Sequence, residues 1–141
     1  MKKRLSKIGL NLNDVIKDRP DPRYLNIPNI NFSLVGKTDD REKYYSKQRK
    51  LRGFDSSELW CLASTISKFI IPRLTVFIET SVGSADCFED TDEQTKIYKK
   101  ILKAFKLVAK DSGSWLWSEE EQKEYAEGID LFAEHFLSMW N

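Results

Sequence analysis

The sequence predicts a mainly α protein: a compact bundle of three to four helices with an irregular N-terminal arm. Three observations predict it. Pairs with capping-box spacing, Asp55/Glu58, Thr91/Gln94 and Ser118/Glu121, each stand before an apolar stripe that repeats every three to four residues. The chain has 141 residues and is 40% hydrophobic, enough for one shared core. Before residue 36, Pro20, Pro22 and Pro28 lie among Asn11, Asn13, Asn26, Asn29 and Asn31, a composition that disfavours a long helix.

Residues 1–36 therefore read as an extended arm. Asn13 or Asp14 can start one short turn holding Val15 and Ile16. Ile30, Phe32 and Leu34 alternate with Asn31 and Ser33, the pattern of a short strand or extended segment closed by Gly36. Residues 37–52 read as a basic surface helix. Thr38 can cap it, Asp39, Asp40 and Glu42 crowd its first turn, and Lys47, Arg49, Lys50 and Arg52 its last, with Gly53 at the C-terminal cap. Tyr44, Tyr45 and Leu51 are its apolar holds.

Residues 53–141 read as the helical core domain. Asp55 and Glu58 open its first helix. At ~100° per residue, Leu59, Leu62, Ala63, Ile66, Phe69 and Ile70 fall within about 140° of one another. With Trp60 and Ile71 added, the apolar sector is broad enough to predict the central helix of the domain. Pro72 should kink this helix or begin a new turn. Leu74, Val76, Phe77 and Ile78 carry the apolar content further, helical or briefly extended. A loop over 81–93 follows.

The helix over 92–110 divides cleanly. Ile97, Tyr98, Ile101, Leu102, Phe105 and Val108 share one face, and Lys96, Lys99, Lys100, Lys103, Lys106 and Lys110 share the other. The final helix, from Ser118, places Tyr125, Ile129, Phe132, Phe136, Met139 and Trp140 on one side. Glu119, Glu120, Glu124, Glu127, Asp130 and Glu134 lie on the other.

Net charge is +1, but it is unevenly spread. Residues 1–52 carry 14 Lys/Arg against 6 Asp/Glu, and residues 53–141 carry 9 against 16. Such a chain can fold its basic part onto its own acidic body, onto a second copy, or present it to a polyanion. No apolar run approaches the ~18 residues of a membrane span, and the basic start lacks the apolar stretch of a secretory leader. The two cysteines, Cys61 and Cys87, have no metal-ligand or disulfide-framework spacing, which suits a reducing cytosol.

Sites for chemistry are sparse. His135 is the sole histidine; it lies off the apolar stripe and reads as a solvated residue without the oriented base that nucleophilic catalysis needs. Cys61 reads as a half-buried small side chain. The acids Asp86, Glu89, Asp90, Asp92 and Glu93 lack the spacing and the turn glycine of a calcium loop, and those from Asp90 to Glu93 favour a helix N-terminus instead. The six glycines are scattered and form no phosphate cradle. No catalytic residue, metal site or cofactor is assigned.

The candidate contact residues are Arg41, Tyr44, Tyr45, Lys47, Arg49, Lys50 and Arg52, with Lys99, Lys103 and Lys106 on the lysine face. Lys and Arg neutralise phosphates, and tyrosines stack on unpaired bases. The same charge order also serves a capped helix for its own stability. The simplest match for the lysine face is the acidic face of 118–134.

Gly53-Phe54-Asp55 leading to Leu59-Trp60, then Ile66-x-x-Phe69-Ile70-x-Pro72-Arg73-Leu74, Ala104-Phe105, and Gly128-Ile129-Asp130-Leu131-Phe132-Ala133-x-x-Phe136-x-x-x-Trp140 carry a resemblance. Together these blocks resemble a family of small proteins encoded by tailed bacteriophages, over about 53–74 and 97–140. The resemblance implies a phage origin, in host cytoplasm or virion, and no particular activity. Most of the shared residues are apolar; Arg73 and Asp130 are exceptions, expected to form an ordinary salt bridge. The expected function is that of a non-enzymatic accessory or virion-associated protein acting through protein contacts, with itself as a homo-oligomer or with another phage or host protein. The alternative is a nucleic-acid-binding module using 41–52 and the lysine face. No membrane contact is expected.

Overall fold

The computed structural model describes residues 32–81, 88–110 and 116–139. Its elements are α1 (Glu42–Arg52), a 3₁₀ turn (Ser56–Leu59), α2 (Leu62–Thr80), α3 (Thr91–Lys110), α4 (Glu119–His135) and a closing 3₁₀ turn (Phe136–Ser138). The architecture is a compact helical bundle, without strands among the described residues. The expectations for residues 1–31, for residues 82–87 of the 81–93 loop, Cys87 among them, and for Trp140 lie outside that set.

The clean division of α3 makes it the middle helix. It packs against both α2 and α4. Tyr98, Ile101, Leu102, Ala104, Phe105 and Val108 are buried, while Lys99, Lys103 and Lys106 are exposed. Leu74 and Phe88 join α3 in the core cluster, with Ile70, Ile71, Phe77, Ile78, Ile129 and Phe132 packed around it. The helix expected at the centre is thus a flank.

The reason lies in how α2 begins. The Asp55/Glu58 capping box forms, with Asp55 accepting from the Ser57 N–H and the Glu58 carboxylate accepting from the Asp55 N–H, but it opens only the 3₁₀ turn. The chain turns again at Trp60 and Cys61 before α2 starts. Leu59 therefore does not share the α2 wheel. On that wheel, Ser67, Ile70, Ile71, Leu74, Phe77 and Ile78 face α3. Leu62, Ala63, Ile66 and Phe69 are rotated off to the side and stay exposed.

Pro72 does not end α2. It removes one backbone donor, yet the helix continues to Thr80 because Ile70 and Ile71 before it and Leu74 and Phe77 after it share one packed face. Arg73 does not meet Asp130; its guanidinium donates to the Phe69 carbonyl at 2.8 Å and stacks on the Phe69 ring.

α1 begins at Glu42 rather than Thr38. The Asp39 carboxylate accepts from the Arg41 N–H at 2.9 Å, and the Asp39 N–H bonds the Gly36 carbonyl, so these residues form turns before the helix. Gly53 caps it as expected, at φ 83° with its N–H on the Arg49 carbonyl. Of the three apolar holds, only Tyr45 is buried.

α3 is capped one residue earlier than expected. Asp90 accepts from the Glu93 N–H at 2.8 Å, and Glu93 accepts from the Glu89 N–H at 2.6 Å. Gln94 is instead buried, donating to the Tyr98 hydroxyl at 3.3 Å. The Ser118/Glu121 box forms as expected. His135 is not solvated. Phe88 folds over the end of α4 and stacks on its ring, centroids 4.7 Å apart, a contact from a distant segment that no wheel displays.

α3 and α4 approach most closely at Gly128. A Cβ there would lie 2.5 Å from the Ala104 Cβ and 2.7 Å from the Lys100 carbonyl oxygen. No helix among the described residues is long and apolar enough to cross a membrane.

Candidate interaction surface

A polar anchor fixes the start of the described chain. The Arg49 guanidinium bridges the carboxylates of Glu42 and Asp55. Asp55, fully buried, accepts from the Ser57 N–H at 2.8 Å and the Ser57 hydroxyl at 2.6 Å. The Ser57 oxygen in turn accepts from the Leu34 N–H at 2.8 Å and lies 3.0 Å from the Ser33 hydroxyl. Burial alone would push the Asp55 carboxyl up. Hydrogen bonds from Ser57 and Ser33 and from Arg49 outweigh it and hold the group at about 2. Val35 is buried, and the Phe32 ring lies 5.9 Å from that of Phe69. Residues 32–35 are thereby seated on their own body.

Beside this anchor, a run of large apolar side chains stays in water: Leu59 is 59% exposed, Trp60 54%, Leu62 54%, Ile66 49% and Phe69 49%. Arginines flank it, stacked on aromatic faces. The Arg41 guanidinium lies 5.1 Å over Trp60 and that of Arg73 3.8 Å over Phe69. Large exposed apolar patches are in general sites of contact, and Trp and Arg are the residue types that dominate binding energy at interfaces. Sequence reading placed most of these residues in the core. The missed signal is the short spacing from capping box to Trp60, which leaves room for one turn before a new helix direction.

The residues singled out from the sequence divide. Tyr45 is buried, and Arg49 is held between two carboxylates. Arg41 makes two side-chain bonds to Asp39 and holds that carboxyl at about 2. Arg52 is exposed but tied to the Phe54 carbonyl, Gln48 and Ser56. Tyr44, Lys47 and Lys50 are open on α1. On the lysine face, Lys103 pairs with Glu124, Lys100 with Glu127, and Lys110 lies 4.0 Å from Glu121. Glu124 raises the Lys103 pKa. Lys99 and Lys106 make no ion pair among the described residues. The lysine face thus meets the acidic face of α4 on the same molecule.

Cys61 is half-buried at the start of α2. Among the described residues no group of three or more His, Cys, Asp or Glu is placed to hold a metal ion. The Asp90 and Glu93 carboxylates are occupied in capping α3, accepting from the Glu93 and Glu89 N–H groups. Compared with protein-family models, with curated proteins and with solved structures, the chain matches none.

Proposed function

We propose that this is a non-enzymatic phage accessory or virion-associated protein that works through protein contacts, with itself as a homo-oligomer or with another phage or host protein. One observation carries the reading: Leu59, Trp60, Leu62, Ile66 and Phe69 stay exposed beside the buried core cluster. The phage assignment rests on the sequence blocks alone. The face can bury apolar area at about 25 cal/mol per Å² when a partner covers it.

Sedimentation over a concentration series tests the reading. The wild-type chain should be a monomer of 16.5 kDa when dilute and grow heavier toward hundreds of micromolar. L62E/I66E should stay monomeric throughout. A wild-type chain that remains monomeric, or a double variant that associates equally well, removes self-association through this face.

A second reading, nucleic-acid binding, is favoured by the open Tyr44 beside Lys47 and by Lys99 and Lys106, which are exposed and make no ion pair among the described residues. It predicts a gel shift that weakens steeply with salt. No shift at micromolar protein removes it.

A further inference from the structure

Resting on the reading of the exposed side of α2 as a contact face, we infer that the part of a second copy that seats on it is the turn closing α4, with Leu137 as the inserted side chain. Leu137 is 89% exposed, the most of any large apolar residue described, and Phe136 beside it is exposed as well. On the receiving side, Leu62, Ile66 and Phe69 stand at i, i+4 and i+7 and so share one side of α2. They form a row on which a projecting leucine can rest.

One molecule does not make this contact with itself. Tyr98 fixes the level of both elements. Its ring centroid lies 5.4 Å from that of Phe77 on α2, and its hydroxyl donates to the Ser138 carbonyl at 3.2 Å. Phe69 and Leu62 lie roughly 12 and 22 Å back along α2 from Phe77, at ~1.5 Å per helical residue. The turn and the row therefore stand at different levels of the bundle, and both stay exposed. Each copy offers one face and one turn. A contact between them is heterologous and joins copies head to tail, as a ring or an open row.

Charge selects this pairing over face against face. Arg73, which makes no ion pair among the described residues, lies over Phe69, and Arg41, paired with Asp39, lies over Trp60. Two such faces pressed together would bring their arginine rims against each other, and like charges suppress that arrangement. Beside Leu137 the sign is reversed. Asp130 and Glu134 are exposed one helical turn apart on α4, and Asp130 makes no ion pair among the described residues. Turn against face thus sets carboxylates toward Arg73. Exposed pairs of this kind choose the partner; the apolar side chains hold it.

Two broken surfaces that repair each other test the assignment by sedimentation. L62E/I66E keeps the turn and loses the face. L137K keeps the face and puts a cation where the leucine inserts, and should weaken self-association by about tenfold or more. L137S, which only removes the apolar side chain, should act in the same direction. Mixed in equal amounts at a concentration where neither associates alone, L62E/I66E and L137K should give a species of twice the monomer mass and none heavier. A mixture that stays monomeric overturns the inference. So do L137K and L137S chains that associate as strongly as wild type; with L62E/I66E still monomeric, that result leaves the contact reading standing as face against face. A wild-type chain that never associates removes the contact reading and this inference together.

Discussion

Asp55 shows how one residue can be legible in kind and illegible in role. Its capping spacing was readable, because Asp and Glu three apart before an apolar run satisfy orphan helix donors. Its burial under Arg49, Ser33 and Ser57 was not readable, because Arg49 and Ser33 come from two other segments. A carboxyl held at about 2, below its ordinary 3.8, is easier to protonate when the chain unfolds. Its stabilisation is complete above the unfolded value and is lost as pH falls through 3.8 toward 2. The shift corresponds to about 2 kcal/mol. Asp55→Asn removes the charge that faces Arg49 and should cost about 3 kcal/mol at neutral pH, the cost of stranding one partner of a buried pair. The stability gap between wild type and D55N, measured by urea unfolding, should narrow by about 2 kcal/mol between about pH 5 and pH 2. Other carboxylates are common to both proteins and cancel. A gap independent of pH would mean that Asp55 is not the ionised hub of the anchor.

Among the elements, α3 was the most readable because its wheel is extreme, six lysines facing six apolar residues. Tyr98, Ile101, Leu102, Phe105 and Val108 of the expected stripe are buried, Ile97 only half so, and the buried Gln94 and Ala104 lay outside it. The extent of α2 past Pro72, and the way it faces, were not readable. A helix apolar over more than half its circumference does not say which part meets its neighbour, so Leu62, Ile66 and Phe69 were indistinguishable from Ile70, Ile71 and Leu74 until α3 was placed. The α3–α4 contact also depends on a residue that no stripe reveals. Gly128 gains nothing from positive φ; it is small because Ala104 and the Lys100 carbonyl occupy the space of its missing Cβ. Gly→Ala in an open helix is worth about 1 kcal/mol of added stability. Here the clash includes backbone, which cannot swing aside, and overpacking costs about 1–3 kcal/mol. Gly128→Ala should therefore destabilise the protein, lowering its urea midpoint with an unchanged denaturant slope. A raised midpoint would show that the two helices can separate at no cost.

Over the whole molecule, two driving forces could produce the proposed self-association, and they differ in their response to salt. The sequence presents opposed charges, basic over 1–52 and acidic over 53–141. The structure already spends part of the acidic surface internally: Glu124, Glu127 and Glu121 meet Lys103, Lys100 and Lys110 along an antiparallel seam between α3 and α4. These exposed pairs are screened by solvent; they favour a register but do not hold the fold. On α1, Arg49 is neutralised by Glu42 and Asp55, and Arg41 is paired with Asp39. The charge left for contact between copies is therefore smaller and more scattered than the residue counts imply, whereas Leu59, Trp60, Leu62, Ile66 and Phe69 are all about half exposed. Raising salt to about 1 M shortens the Debye length to about 3 Å and removes attraction between separated surface charges. Burial of apolar side chains is not screened. The heavier species in sedimentation should therefore persist at about 1 M sodium chloride, with a dissociation constant within about threefold of that at about 0.1 M, or roughly 0.6 kcal/mol. A dissociation constant that weakens by orders of magnitude over the same range would assign the assembly to the opposed charge halves instead, and leave Leu59, Trp60, Leu62, Ile66 and Phe69 without a part in it.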